Sequence, residues 1–199
     1  MNRNTWRNLL LLLWDIWERF YSYLFHVRKI EPDGLLRLSL RPYRGPAVEL
    51  RDGTVITPGE LVGELHLANK ELLKIQQKCN SQVKATMCVK KELKRSLVQL
   101  ANHVRQKKVA EEVKAFYGIT LFHQGARHLG FEVKEPPSAF LRFFFGLGQS
   151  LLLVCYHPAG LKRLKLGHHS LTPKLIWISR AALLKDFLPP RVSSPEGKS

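Results

Sequence analysis

The decisive stretch for the fold is LVGELHLANKELLKI, residues 61–75, in which a strand-like segment runs directly into a helix-like one. Leu61–Leu67 follows a Pro-Gly turn and predicts a strand. From Lys70 apolar side chains recur at helical spacing as far as Arg105, which predicts helix. Cys79-Asn80-Ser81 indicates a break, so we expect two consecutive helices here.

Outward from this stretch, short strands and helices account for most of the chain. Further strands are predicted at 35–40, 48–50, 54–56, 115–122, 129–133 and 174–179. Further helices are predicted at 140–156, with Ser138 as the cap, and at 180–187. Arg51-Asp52-Gly53 is typical of a short hairpin connection, and Gln124-Gly125 predicts a turn.

The order of these segments predicts the fold class. Strands cluster with helices around them, and the sequence has no repeat and no clean strand–helix–strand alternation, which indicates α+β. We expect antiparallel strands and a hairpin, with an amphipathic N-terminal helix, a basic central helical segment and an apolar helix near the C-terminus. The 199 residues divide into that first helix at 1–28, one α+β domain at 29–188 and a disordered tail at 189–199.

The N-terminal region predicts an amphipathic helix that lies on a membrane surface. Its uninterrupted apolar run, Leu9–Trp14, ends at Asp15. A membrane span needs about 20 mostly apolar residues, and a signal peptide needs a longer apolar region with a cleavage site. Aromatic side chains beside arginines are typical of interfacial helices. We expect membrane contact from Trp6, Arg7, Trp14, Trp17 and Phe20. The alternative is that this face packs on the protein's own core.

The charge of the chain favours an anionic partner. Thirty-two Lys and Arg against sixteen Asp and Glu give a net charge of +16. Residues 70–108 contain eleven Lys and Arg against two Glu, so they form the main basic face. Such an excess attracts acidic lipid headgroups or nucleic acid. Nucleic acid is the less favoured partner, because the aromatic side chains cluster in the first helix and no nucleic-acid-binding motif is present. A solvated surface without a dedicated partner is the third possibility.

The three cysteines predict reduced thiols in a cytoplasmic compartment. Cys79, Cys88 and Cys155 are odd in number and form no Cys-x-x-Cys pair. A disulfide framework or a zinc ribbon is therefore not expected. Cys155 lies in an apolar run and is predicted to be a core residue.

Several segments together resemble the YkoP-like family of small bacterial proteins. They are Tyr43-Arg44-Gly45, Asp52-Gly53, Leu65–Asn69, Gly118-Ile119-Thr120 and Arg127–Glu132, with His157–Gly160 and Trp177-Ile178-Ser179 further along. The resemblance covers nearly the whole chain, from about residue 9 to residue 187. Related domains are attached to polysaccharide-deacetylase-like enzymes, so the resemblance implies a role in the cell envelope. It implies no particular reaction, because the family has no established biochemical activity. The deacetylase activity is not transferred, because this chain has no room for such a domain.

One set of polar residues is a candidate pocket for proton transfer or ligand binding. Its members are His66, Asn69, Arg127, His128, Glu132 and His157. Histidine titrates near neutral pH, and two histidines with a glutamate are also possible metal ligands. The favoured alternative is structural: His66 bonded to a backbone carbonyl, Asn69 capping a helix, and Arg127 paired with Glu132.

The sequence contains no signature of a known active site. A nucleophile elbow, a phosphate-binding loop and a zinc-protease motif are all missing from it. We therefore predict no cofactor and no metal, and we favour a non-enzymatic or accessory protein. It is expected to be cytoplasmic and peripherally attached to the anionic inner membrane surface or to envelope machinery. An enzyme or ligand-binding domain of envelope polysaccharide metabolism, with an unknown ligand, is the alternative.

Overall fold

A computed structural model of the chain describes residues 26–120, 123–137 and 173–188, together with Leu12, Ile16 and Tyr23. The strands are β1 (Arg28–Lys29), β2 (Leu36–Pro42), β3 (Val48–Glu49), β4 (Val55–Ile56), β5 (Leu61–Leu67), β6 (Ala115–Thr120), β7 (Glu132–Lys134) and β8 (Lys174–Ser179). The helices are α1 (Asn69–Lys78), α2 (Gln82–Arg105), α3 (His123–Arg127) and α4 (Arg180–Phe187).

Six strands form one sheet in the order β1-β2-β5-β6-β8-β7, and β3 and β4 form a separate hairpin. The large sheet is antiparallel except for the pair β5 and β6. Parallel strands require a long crossover, and here α1 and α2 supply it. The structure is thus a mixed α+β fold with a mostly antiparallel sheet. The sequence predicts no clean strand–helix–strand alternation, and the described sheet contains this one parallel crossover.

One face of the sheet packs against helices α2 and α4. Alternate residues of β5 and its neighbours point to that face, as the pleat of a strand requires. Leu65 and Phe116 from the sheet meet Leu97 and Leu100 from α2 in one apolar cluster. A side chain at Gly63 would place its Cβ atom 2.3 Å from the ring of Phe116, so glycine permits this close packing. Apolar burial on this face is the main stabilising term of the described fold.

The two helices of the crossover are separated where the sequence predicts a break. Ser81 is the N-cap of α2, and its hydroxyl accepts a hydrogen bond from the backbone N–H of Lys84 at 3.2 Å. Such caps satisfy an amide that would otherwise have no partner at a helix start. The predicted break at Cys79-Asn80-Ser81 is therefore confirmed.

The β3–β4 hairpin covers part of the opposite face of the sheet. There the rings of Tyr117 and Trp177 stack at a centroid distance of 4.9 Å, and Tyr43 meets Trp177 edge-on at 5.4 Å. Leu50 and Ile56 of the hairpin region pack on these rings. The predicted Asp52-Gly53 connection is present, with Gly53 at a φ of +81° that favours glycine.

Local predictions differ from the structure mainly around α3. The strands at 61–67 and 174–179 and the helix at 180–187 have the predicted bounds. Gln124-Gly125, predicted as a turn, lies inside α3, and the strand predicted from Leu129 begins only at Glu132. The delay arises because the carbonyl of Ala126 accepts hydrogen bonds from Leu129 and Phe131 and holds them in a turn.

The predicted apolar helix at 140–156, the tail at 189–199 and most of the first helix lie outside the described residues. Within the part of the chain that the structure describes, none of the helices combines the length and apolarity that crossing a membrane requires.

Candidate functional site

A row of polar side chains crosses β2 and β5 on the sheet face that points away from helices α2 and α4. Arg37 lies opposite His66 in the antiparallel register, and Ser39 lies opposite Glu64. Directly opposed residues of antiparallel strands point to the same face. Arg41 is two positions beyond Ser39 on that face, so β2 and β5 bring all five side chains together. We call these five residues the polar row.

Short contacts connect the members of the polar row. The Arg41 Nη1 atom lies 2.5 Å from the Glu64 Oε2 atom, which makes a charge-assisted hydrogen bond. The His66 Nε2 atom is 3.3 Å from the Ser39 Oγ atom and 3.7 Å from Glu64 Oε2. Ser39 is only 1% exposed, whereas His66 and Arg41 are partly accessible. Within the polar row the serine is therefore buried, and the histidine and Arg41 are half-buried.

The protonation of His66 follows from this environment. Burial lowers the pKa of His66 below its ordinary value, and the charges of Arg41 and Arg37 act in the same direction, while Glu64 acts against them. The imidazole is therefore neutral at pH 7 and can accept a proton or a hydrogen bond. Ser39 and Glu64 both approach the same ring nitrogen, so the carboxylate does not orient the imidazole from its far side as in a Ser-His-Asp triad. The polar row offers hydrogen-bonding groups, but it lacks the geometry of an activated serine.

Two of the predicted structural roles are wrong. The N-cap of α1 is Ala68, without a side-chain cap, and Asn69 is already the first residue of the helix. Arg127 and His128 are exposed at and just after the end of α3. Of the ion pairs formed between described residues, none joins Arg127 to Glu132.

Glu132 instead attaches the β3–β4 hairpin to the edge of the sheet. Its Oε1 atom accepts a hydrogen bond from the backbone N–H of Arg51 at 2.7 Å, and the Lys134 ammonium donates to the carbonyl of Glu49 at 2.6 Å. An open groove of about 460 Å³ lies between hairpin and strand at this point. These contacts support a positioning role for Glu132 in the fold.

The predicted pocket residues are not brought to one place. Glu132 on β7 is separated from His66 on β5 by two intervening strands, which is three strand spacings or roughly 14 Å. His157 lies outside the described residues. Among the described side chains, no three of His, Cys, Asp and Glu come together as a set of metal ligands. His66 thus joins a site whose other members, Arg37, Ser39, Arg41 and Glu64, were missed. Arg37, Ser39 and Glu64 lie inside the strands predicted at 35–40 and 61–67, whereas Arg41 lies beyond the predicted end of the first.

A second candidate surface lies on the α1–α2 crossover. All eleven Lys and Arg side chains between residues 70 and 108 are exposed. Glu71 pairs with Lys74 at 2.9 Å and Glu92 with Arg95 at 3.6 Å, so the two glutamates of this segment neutralise only a small part of its charge.

The first half of α2 adds apolar side chains to this charge. Val83 is 71% exposed and Met87 is 67% exposed, and they lie four residues apart on one side of the helix. Lys90 and Lys94 continue the same stripe, seven and eleven residues after Val83. We call the exposed cations of 70–108 together with Val83 and Met87 the basic surface.

Comparison with known proteins decides the family. A model of the YkoP domain matches residues 7–187. The chain belongs to the YkoP domain family. It is 27% identical over 180 residues to the uncharacterized protein YkoP of Bacillus subtilis strain 168, an alignment that covers 89% of this chain and 95% of the relative. No solved structure matches the chain. The predicted family is therefore confirmed, and the link to polysaccharide-deacetylase-like enzymes stays a prediction.

The two surfaces of this YkoP domain differ in what they can do chemically. The polar row offers a neutral imidazole and fixed hydrogen-bonding groups at a partly enclosed position, which suits a small polar ligand. The basic surface offers many solvated cations beside exposed apolar groups, which suits an extended anionic partner.

Proposed function

We propose that this YkoP domain binds peripherally to an anionic membrane surface through the basic surface of α1 and α2. The observation that carries the proposal is the exposure of Val83 and Met87 among the lysines of the first half of α2. Apolar side chains are unfavourable in water, and their transfer to the acyl boundary of a bilayer lowers the free energy. Lysines around them meet the phosphate groups at the depth where such side chains would insert.

The charge of the surface supports the same partner. Lys78, Lys84, Lys90, Lys91 and Lys94 are exposed and have no carboxylate partner among the described residues. Each lysine near an anionic leaflet contributes about 1 kcal/mol to membrane binding. Nucleic acid would also attract these cations, but it offers nothing to Val83 and Met87, so the membrane is the better match.

The N-terminal segment supplies further apolar side chains. Leu12, Ile16 and Tyr23 are helical and exposed, and their spacing of four and seven residues places them on one stripe. An exposed apolar stripe on a helix is the feature expected of an interfacial anchor. Trp6, Arg7, Trp14, Trp17 and Phe20, the residues predicted to contact lipid, lie outside the described residues and stay part of the proposal.

Co-sedimentation with vesicles tests the proposal. We expect binding to vesicles with about 30% phosphatidylglycerol, and much weaker binding to pure phosphatidylcholine. Replacing Lys84 and Lys91 by Gln should reduce the affinity about 30-fold, because two contributions of about 1 kcal/mol are lost. The matched control replaces Arg44 and Arg51, two exposed arginines near the β3–β4 hairpin, by Gln. Equal losses in both variants would contradict the proposed surface, since only the total charge would then matter.

A second variant separates membrane from nucleic acid. Val83→Ser with Met87→Ser removes the apolar groups and keeps every lysine. We expect it to lose vesicle binding while any salt-dependent association with duplex DNA stays unchanged. Vesicle binding that survives this change, together with tight DNA binding, would favour the nucleic-acid alternative.

A second candidate function is the binding of a small ligand at the polar row. It is favoured by the neutral His66 next to Ser39 and by the partly accessible Arg41, fixed in orientation by Glu64. Short N-acetylglucosamine oligomers are the probes that the envelope hypothesis suggests. They should raise the melting temperature of the wild type and leave that of His66→Ala unchanged. A shift that is equal in both proteins places any binding elsewhere.

A further inference from the structure

Two cysteines that are nine residues apart in sequence meet at the corner between α1 and α2. Cys79 is the C-cap of α1, where the backbone turns to an extended conformation. Cys88 lies in α2, and its Sγ atom is 3.6 Å from the Sγ atom of Cys79. Both are free thiols. The sequence predicts separate reduced cysteines, so their contact is a property of the fold.

The contact follows from the geometry of the corner. Cys88 is seven residues after the N-cap Ser81, which is about two turns of an α-helix. It therefore lies on the same side of α2 as the chain that arrives from α1. A disulfide has a sulfur–sulfur distance of about 2.05 Å, so the two sulfur atoms must approach by about 1.5 Å. Rotation about χ1 of the two cysteine side chains is the movement that a bond between them requires.

The surroundings of the pair favour thiol chemistry. Cys88 is exposed, so small reagents in solution reach its sulfur atom. Lys84 and Lys91 lie four residues before it and three residues after it, on the same side of α2. The thiolate is the form of cysteine that reacts in disulfide exchange. The thiol of Cys79 donates a hydrogen bond to the sulfur of Cys88, which raises the pKa of Cys79 and keeps it protonated until that bond is broken.

We propose that Cys79 and Cys88 form a redox-active pair that exchanges with low-molecular-weight disulfides such as oxidised glutathione. The Cys88 thiolate attacks one sulfur atom of the glutathione disulfide, the bond between its two sulfurs breaks, and one glutathione thiolate leaves. Cys79 then loses its proton to solvent, and its thiolate attacks the Cys88 sulfur of the mixed disulfide and releases the second glutathione. The protein loses two electrons and forms one disulfide, while the glutathione disulfide is reduced to two thiols.

Trypsin offers a direct readout of this cross-link. Cleavage after Lys78, Lys84 and Lys90 releases Cys79–Lys84 and Ala85–Lys90 as two separate hexapeptides. The full-length protein is equilibrated in glutathione buffers of increasing oxidised fraction, its remaining thiols are alkylated, and the digest is analysed by mass spectrometry. We expect the two hexapeptides to become covalently linked, with a mass two hydrogens below their sum, in a single two-electron transition.

The cysteine variants complete the test. Cys155→Ser should leave the transition unchanged, whereas Cys79→Ser should stop the reaction at a glutathione adduct on Cys88. Alkylation of both hexapeptides across the whole range of buffers would overturn the proposal. So would a mixed disulfide on Cys88 that persists in the wild type, or cross-links that join Cys88 only to Cys155 or to a second molecule. None of these results depends on membrane binding, which is measured separately.

Discussion

The two faces of the six-stranded sheet are built from the same strands but serve different purposes. On the helix side, Leu65 and Phe116 pack with α2 in an apolar cluster. On the other side, Glu64 and His66, which flank Leu65 in the sequence, belong to the polar row. Tyr117 belongs to a separate aromatic cluster on that side. Successive side chains of one strand point to opposite faces, so neighbouring residues can belong to the apolar cluster on one face and to the polar row on the other. Substitutions on each face test this division.

The largest effect is expected on the helix side of the sheet. Leu100 is 0% exposed in the centre of the apolar cluster. Replacement by alanine removes buried methyl groups and leaves a cavity, so Leu100→Ala should lower the free energy of unfolding by about 3 kcal/mol. Urea unfolding followed by circular dichroism measures this change.

The matched control lies on the same helix. Met87→Ala changes an exposed side chain and should alter the free energy of unfolding by less than about 0.5 kcal/mol. Similar losses of free energy for Leu100→Ala and Met87→Ala would mean that the first half of α2 is covered in the same way as its second half. Met87 would then be buried, which contradicts the exposed basic surface.

An intermediate effect is expected in the polar row. Glu64→Gln removes the charge that faces Arg41 at a partly buried position, and hydrogen bonds to charged groups contribute about 1.5–3 kcal/mol. We expect a loss of about 1 kcal/mol in the free energy of unfolding, because glutamine retains one weaker hydrogen bond. The comparison variant is Glu71→Gln, which breaks the exposed pair with Lys74 and should cost about 0–0.5 kcal/mol. If Glu71→Gln lost more free energy of unfolding than Glu64→Gln, the pair Arg41–Glu64 would not be in a partly buried environment.

Local sequence signals predicted most of the described elements because their causes are local. The strand Leu61–Leu67 is preceded by a turn, and α2 begins at a serine cap, and both signals lie within a few residues of the element they set. Pairing is different, since β5 lies parallel to β6 only because two helices intervene and because both strands fit the same core. No pattern within either strand carries that information, so the crossover was missed.

The candidate site shows the same limit. His66 was recognised as chemically interesting because histidine titrates near neutral pH, but its partner Ser39 is 27 positions earlier in the chain. Only the register of β2 against β5 brings them together. Glu132 was predicted to pair with Arg127, whereas in the structure its carboxylate accepts a hydrogen bond from the backbone N–H of Arg51, 81 positions earlier in the chain. Cys79 and Cys88 are a third case, because the corner between two helices creates a contact that the spacing alone does not predict.

The smallest effect expected is a pH dependence of the free energy of unfolding that originates at His66 in the polar row. The pKa of His66 is lowered in the folded protein from its ordinary 6.5, mainly by burial. The unfolded chain therefore binds more protons than the folded chain once the pH falls to about 6.5, and stability rises with pH through this window. The His66 contribution is complete above pH 6.5 and decreases as the pH falls towards the folded pKa.

His66→Gln should make the free energy of unfolding less dependent on pH between about 7 and 5, measured by urea titrations at a series of pH values. Equal slopes for the wild type and His66→Gln would show that the imidazole is as well solvated in the folded protein as in the unfolded chain, and the polar row would then be an open surface.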